Sequence, residues 1–169
     1  MKSRHIISCA ISVTALALGF LFLSALRKHN VESNRIQRMP QINLCTIDGE
    51  VFSPANLTPL KNTAILFFSP DCEFCQKEID GILANASSFT GTIWIFVTLS
   101  SREDLTEFLI EHPIGSIPDA KICIEETPRL FTSLDVTAPP SLFIYNADGK
   151  LEHHKYGAVS IKTILEWLK

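Results

Sequence analysis

Cys72 and Cys75 are the only closely spaced pair among the five cysteines of the sequence. When a Cys-x-x-Cys pair opens a helix, its first sulfur lies beside unpaired backbone N–H groups and the positive end of the helix dipole, which favours the thiolate. The thiolate is the nucleophile in disulfide exchange, and a second sulfur one turn later can attack the resulting mixed disulfide. The spacing therefore predicts Cys72 as an attacking residue and Cys75 as a resolving residue.

The same spacing also occurs in half of a zinc site, in copper carriers and in structural disulfides. Zinc would need two further ligands. The sequence has no second cysteine pair, and His112, His153 and His154 show no ligand spacing toward the first pair. The context favours redox chemistry, because the cysteines follow a buried strand and open a helix within a βαβ pattern. We expect no metal and no cofactor.

The other three cysteines are isolated in the sequence. Cys9 lies in an apolar N-terminal stretch, whereas Cys45 and Cys123 lie in strand-like runs. Because free cysteine commonly behaves as a small hydrophobe, we expect buried, unreactive thiols at these positions.

Apolar periodicity and turn signals predict an α/β domain over residues 41–169. Strand followed by helix twice in succession indicates parallel pairing, whereas the hairpin turn at 146–149 indicates antiparallel strands near the end. The domain should open with a β-hairpin at Asp48-Gly49, and Asp71 is available as N-cap of the helix that follows the cysteines. The predicted strands are 41–47, 50–52, 63–68, 92–99, 121–124, 141–145 and 150–156, and the later helices are 103–111, 127–134 and 161–168.

Residues 6–26 are almost wholly apolar, with basic residues on both sides. As a helix this stretch would span about 31 Å, enough to cross a bilayer. We therefore expect a membrane anchor over residues 1–27 and a polar tether over 28–40. A cleaved signal peptide is the alternative, although residues 23–25 are a poor cleavage pattern.

Charge divides the chain in the same way. Residues 1–38 carry six Lys/Arg against one acidic residue, a net charge of +5, whereas residues 39–169 carry nine against seventeen, a net charge of −8. An acidic body would repel a phosphate backbone, so nucleic acid is not an expected partner.

Two segments resemble a known family. The run FFSPDCEFCQKE at residues 67–78 is similar to the active-site segment of the TlpA/ResA-like thiol-disulfide oxidoreductases of the thioredoxin superfamily, and VTAPPSLFIY at 136–145 is similar to that superfamily's cis-proline loop and following strand. The resemblance covers residues 40–169. It implies a thioredoxin-like fold with a mixed central sheet flanked by helices, and thiol-disulfide oxidoreductase activity with Pro140 as the cis-proline.

The resemblance also gives roles to two acids. Glu78 matches the family's active-site glutamate, and Glu73 matches the glutamate inside the dithiol of the ResA-like branch. Both charges would oppose thiolate formation by like-charge repulsion, which favours a reductase. Alternatively, both are solvated first-turn residues.

Pro140 implies a substrate platform, because a cis X-Pro bond turns the preceding backbone outward to pair with an extended substrate. Pro139 has no N–H, so one donor of that platform is missing. Two trans prolines breaking a loop are the alternative. At Leu66, where thioredoxin carries a buried aspartate, the sequence has no acid, so proton handling should fall to Glu78 or to water.

Proteins of this family are anchored by one N-terminal helix, with the domain outside the bacterial cytoplasmic membrane. The resemblance thus implies a single-pass protein facing the periplasm or cell exterior, protein disulfide substrates and a membrane electron-donor protein. Counting Lys/Arg beside the anchor points weakly to the opposite orientation. A peroxiredoxin is disfavoured, because its Pro-x-x-x-Thr/Ser-x-x-Cys loop is absent, and a thioredoxin-fold binding module or metal carrier without turnover remains the alternative.

Overall fold

The computed structural model of the protein describes residues 18–20, 22–24, 36–57 and 61–169. The chain forms two units, Met1–Arg35 and Ile36–Lys169. In the first unit, residues 18–20 and 22–24 are helical and exposed. Among the residues described, no helix is both long and apolar enough to cross a bilayer. Most of the predicted anchor, 1–27, lies outside the described residues.

The second unit contains seven strands and four α-helices among its described residues. The strands are β1 (Leu44–Cys45), β2 (Val51–Phe52), β3 (Asn62–Phe67), β4 (Thr92–Thr98), β5 (Ala120–Ile124), β6 (Ser141–Tyr145) and β7 (Leu151–Tyr156). The helices are α1 (Glu73–Ala84), α2 (Arg102–Glu111), α3 (Arg129–Ser133) and α4 (Ile161–Trp167).

Five strands form the central sheet, in the order β5-β4-β3-β6-β7. β3, β4 and β5 are parallel neighbours, whereas β6 is antiparallel to β3 and β7 to β6. The predicted mixed sheet, parallel early and antiparallel late, is confirmed. β1 and β2 form a separate hairpin through the predicted Asp48-Gly49 turn, where Gly49 has a φ of +88° that suits glycine.

Apolar layers cover both faces of the sheet, which explains why β3 and β4 are continuous apolar runs. On one face, α1, α2 and α4 contribute buried residues that include Ile79, Leu105 and Ile164. The other face is packed by residues that include Leu44 and Leu130.

Residues 36–40, which the sequence analysis placed in the tether, pack against the domain. The Ile36 side chain is 9% exposed, and the Tyr145 hydroxyl donates a hydrogen bond to the Ile36 carbonyl oxygen at 3.2 Å. Met39 N–H donates to the Gly149 carbonyl oxygen at 2.8 Å. Residues 36–40 thus form hydrogen bonds with the β6–β7 hairpin, and the compact unit begins before residue 41.

The sheet topology brings two loops to the same edge. β3 runs parallel to β4 and β5, so the loop that leaves Phe67 lies at the carboxyl edge of these strands. β6 is antiparallel to β3 and its first residue, Ser141, pairs with Phe67. The loop that precedes Ser141 therefore meets the loop that carries the cysteines.

Candidate functional site

Helix α1 begins with Cys72 as its N-cap. The Cys72 sulfur accepts a hydrogen bond from the Cys75 N–H at 3.3 Å, while Cys72 N–H donates to the Ser69 carbonyl oxygen at 3.1 Å. A sulfur in this position lies at the unpaired N–H groups of the first turn. The prediction that Asp71 caps the helix is wrong, because the helix starts one residue later and the thiol takes the capping bond.

The two cysteines differ in exposure. Both are free thiols, with Cys72 partly exposed and Cys75 fully buried. Burial raises the pKa of the Cys75 thiol far above its ordinary value, and a side-chain hydrogen bond between the two thiols raises it further. An incoming disulfide can therefore reach Cys72, whereas Cys75 is held as a protonated thiol behind it.

The proline loop lies against Cys72. The Pro139–Pro140 peptide bond is cis, and the Cys72 sulfur lies 4.0 Å from the Pro139 carbonyl oxygen. The Pro140 carbonyl oxygen accepts a hydrogen bond from Gly157 N–H at 2.8 Å. Gly157 has a φ of +92°, a conformation that favours glycine. The arrangement places one main-chain carbonyl beside the accessible sulfur.

Glu78 lies one turn after Cys75 on α1 and is 6% exposed. Its Oε2 accepts a hydrogen bond from Val159 N–H at 3.1 Å, whereas Oε1 has no partner among the described residues. Burial raises the pKa of Glu78 to about 7, against the opposing effect of the Val159 bond. The negative charge of Glu78 also contributes to the raised pKa of Cys75. Because residues three apart on a helix are neighbours, the unpaired oxygen of Glu78 is the candidate acceptor of the Cys75 proton.

The contact of Val159 with Glu78 is not predictable from the sequence. Its contribution is a main-chain N–H, which every residue except proline supplies, so the residue type gives no signal. Only the approach of the loop before α4 to α1 reveals it.

Glu73 lies in a different environment from Glu78. It is solvent-exposed and forms an ion pair with Lys77 at 2.7 Å. The hydrogen bond with Lys77, together with the Lys77 charge, holds the pKa of Glu73 below its ordinary value. Its environment is that of a solvated first-turn residue, the alternative that the sequence analysis left open.

The isolated cysteines divide between surface and core. Cys123 is fully buried, and burial raises its pKa to about 12. Cys45 is exposed, so the prediction of a buried thiol is wrong there: β1 is a two-residue strand, and Cys45 points away from the core that Leu44 enters. Cys9 lies outside the described residues.

The paired histidines lie on opposite faces of β7. His153 stacks on Trp167 at 4.8 Å between ring centroids, and His154 stacks on Phe143 at 5.8 Å. Alternation along a strand keeps these two rings apart. Within the part of the chain that the structure describes, no three His, Cys, Asp or Glu side chains come together as a metal site.

Comparison with known proteins identifies a family and several structural neighbours. A family model for the thioredoxin-like domain matches residues 55–169. The methylamine utilization protein MauD of Methylophilus methylotrophus is 29% identical over 79 residues, which are 46% of this chain and 37% of that protein. The match thus spans much less than two thirds of that relative's length.

Solved structures share the fold at low sequence identity. StoA from Bacillus subtilis aligns with a TM-score of 0.61 and 20% identity, covering 77% of this chain and 100% of that one. A secreted disulfide oxidoreductase of Mycobacterium tuberculosis, described as homologous to E. coli DsbE, gives 0.66 and 17%, covering 80% and 96%. The thioredoxin domain of a thiol-disulfide oxidoreductase from Bacteroides vulgatus gives 0.65 and 17%, covering 79% and 97%.

These neighbours have the architecture predicted from the resemblance to the TlpA/ResA-like proteins. The family match covers more than half of the chain, including both cysteines and the proline loop. The protein belongs to the thioredoxin-like domain family.

Proposed function

We propose that this protein is a thiol-disulfide oxidoreductase that reduces disulfides in proteins outside the cytoplasm through Cys72 and Cys75. The observation that carries the proposal is the asymmetry of the dithiol. The accessible sulfur caps a helix beside the Pro139 carbonyl, and the buried sulfur lies one helical turn before a buried carboxylate with an unpaired oxygen. Attack and resolution are thus divided between two different environments.

In the first step, the Cys72 thiolate attacks one sulfur of the substrate disulfide. A bond forms between Cys72 and that sulfur, the substrate disulfide breaks, and its other sulfur leaves as a thiolate that takes a proton from water. The Cys75 N–H, which donates to Cys72 at 3.3 Å, stabilises negative charge on the attacking sulfur.

In the second step, Cys75 loses its proton to Glu78 and attacks the Cys72 sulfur. The substrate sulfur that was bonded to Cys72 leaves as a thiolate that takes a proton from water, and Cys72 and Cys75 remain as a disulfide. Because the pKa of Glu78 is about 7, its carboxylate is present in a substantial fraction at neutral pH. The two electrons that reduce the substrate come from the dithiol, so a dithiol-bearing donor must restore it.

The direction of the reaction is supported by the environment of Cys75. A dithiol whose reduced form is stabilised as a thiolate is a strong oxidant. Here burial disfavours the Cys75 thiolate, so the reduced dithiol gains no stabilisation from ionisation of Cys75, and the feature that makes a dithiol a strong oxidant is absent at this sulfur. Glu73 contributes less than expected, because Lys77 offsets its charge.

The location is proposed from the N-terminal sequence. The apolar stretch 6–26 with basic flanks has the length of a single-pass anchor, and the M. tuberculosis neighbour is described as secreted. We propose that the anchor holds the domain on the outer side of the bacterial cytoplasmic membrane and that a membrane protein supplies its electrons.

A single-turnover experiment tests the division of labour. Cys72 is first converted to a mixed disulfide with a chromophoric aromatic thiol at about pH 4, where Glu78 is protonated, and release of the chromophore is followed after a jump to pH 7. We expect Glu78→Gln to slow release about 100-fold, because a positioned base typically contributes at least that much. The matched control Glu73→Gln, on the same helical turn as the dithiol, should release at the wild-type rate.

Two cysteine variants complete the test. Cys72→Ser should lose insulin-reducing activity, whereas Cys75→Ser should retain attack and accumulate mixed disulfides with its substrates in the native host. Full activity of Cys72→Ser would exclude the proposed function. Equal release by the Glu78→Gln and wild-type proteins would leave the dithiol but remove Glu78 from its mechanism.

A further inference from the structure

The Pro139-Pro140 loop beside Cys72 lacks two main-chain hydrogen-bond donors. Extended peptides usually pair with a protein backbone through both groups of one residue, its N–H and its C=O, which point to the same side. At the position next to the attacking sulfur that residue is Pro139, and the following residue is Pro140. Neither has an N–H, so two consecutive residues offer no main-chain donor.

The carbonyl groups of the same loop are mostly engaged. The Ala138 carbonyl oxygen accepts from the Ser141 hydroxyl at 2.9 Å, and the Pro140 carbonyl oxygen accepts from Gly157 N–H at 2.8 Å. The Pro139 carbonyl oxygen contacts only the Cys72 thiol, at 4.0 Å, among the described residues. That distance is at the weak limit for sulfur, so this carbonyl is available to an incoming N–H.

On the basis of the proposed function, we propose that Pro139 is a specificity-determining residue that restricts the substrate platform to a single acceptor. A substrate cysteine bound to Cys72 brings its own backbone next to the Pro139 carbonyl. The substrate can donate an N–H there, but neither Pro139 nor Pro140 offers a main-chain donor to its carbonyl. The protein therefore recognises an extended segment through one hydrogen bond from a substrate N–H to the Pro139 carbonyl. The carbonyl groups of the substrate make no contribution to recognition at this loop.

A backbone scan of one substrate tests this restriction. The probe is a ten-residue peptide with a single cysteine, joined as a mixed disulfide to a chromophoric thiol. One series carries a single N-methyl group at each position near the cysteine, which removes a donor. The other series carries a single thioamide, which weakens an acceptor. The reduced full-length protein is mixed with each peptide in a single turnover, and the second-order rate constant is measured from chromophore release.

With the wild-type protein, one N-methyl position should lower the second-order rate constant by about threefold to tenfold, the usual range for one hydrogen bond, and no thioamide should change it by more than about twofold. Pro139→Ala restores an N–H beside the same carbonyl. This variant should react about threefold to tenfold faster with the unmodified peptide and should become sensitive to one thioamide position.

Pro118→Ala is the matched control, because Pro118 is exposed and precedes β5 at the opposite edge of the sheet. It should behave as the wild type with every peptide. If Pro139→Ala does not fold, the wild-type scan decides by itself.

The outcomes separate the two proposals. A thioamide effect on the wild-type protein as large as its N-methyl effect, or a scan without any N-methyl effect, would overturn the single-acceptor platform while leaving disulfide exchange intact. A folded Pro139→Ala protein without any gain in rate or thioamide sensitivity would also overturn it. Failure of the reduced protein to release the chromophore from any peptide would overturn the proposed function and this inference with it.

Discussion

Replacing Glu78 by glutamine tests whether a buried carboxyl of raised pKa lies under the dithiol. Glu78 is 6% exposed, and burial raises its pKa from 4.5 to about 7. Between these two values the folded protein binds more protons at this site than the unfolded chain does. The free energy of unfolding must therefore fall as pH rises from about 4.5 to 7, and it levels off above the folded-state pKa.

The magnitude follows from the same two values. One pKa unit corresponds to about 1.36 kcal/mol, so ionised Glu78 destabilises the folded state by roughly 3 kcal/mol relative to protonated Glu78. Glutamine retains the shape of the side chain and an oxygen for the Val159 N–H, but it does not ionise. The wild-type protein should lose roughly 3 kcal/mol more stability than Glu78→Gln between pH 4.5 and pH 8.

Urea unfolding of both reduced proteins over this pH range measures the difference. Trp94 is fully buried in β4, so tryptophan fluorescence reports loss of the core. Glu73→Gln serves as the control, since that side chain is exposed and we expect no comparable pH-dependent difference. A gap between wild type and Glu78→Gln that is constant with pH, or that changes in favour of the wild type as pH rises, would refute the assignment of a buried ionisable carboxyl.

Three further substitutions test the packing around the site. Gly157→Ala should lower the free energy of unfolding by roughly 1–2 kcal/mol, because a φ of +92° disfavours a side chain even though no atom lies within 4 Å of the added Cβ. Gly115→Ala is the control, because Gly115 is equally open but has no positive φ. It should lower the free energy of unfolding less than half as much in the same urea titration. Ser101→Ala should destabilise the protein by about 1 kcal/mol through loss of the cap to Asp104 N–H, and a thermal shift below the resolution of calorimetry would contradict this. Ile79→Ala should cost about 2–5 kcal/mol in chemical denaturation, because a buried side chain leaves a cavity; a loss under 1 kcal/mol would mean that the core under α1 is not packed as described.

Much of the architecture was predictable because local patterns are strong in this chain. The apolar runs at β3 and β4 indicate strands buried on both faces, and alternating strands and helices indicate parallel pairing. The order of strand and dithiol also predicted that a helix begins at the cysteines. Boundaries were less accurate: the capping residue is Cys72 and not Asp71, because a sulfur can replace an oxygen at the N-cap.

Features that depend on long-range contacts were not accessible in this way. The packing of residues 36–40 depends on the outer side of the β6–β7 hairpin, and the exposure of Cys45 depends on the short β1 hairpin. The hydrogen bonds that hold residues 36–40 are made by main-chain groups, which do not depend on the residue type, so the local sequence does not indicate them.

The sequence by itself determined the chemical groups: two cysteines at helical spacing, an acid one turn further on and two adjacent prolines without N–H groups. Tertiary structure alone decided which of these groups meet. Pro139 comes beside Cys72 because β6 pairs antiparallel with β3, and Glu78 is held by Val159 N–H because the loop before α4 closes over α1. Burial then separates the two sulfurs into an accessible one and a protected one, because solvent access is a property of the folded chain.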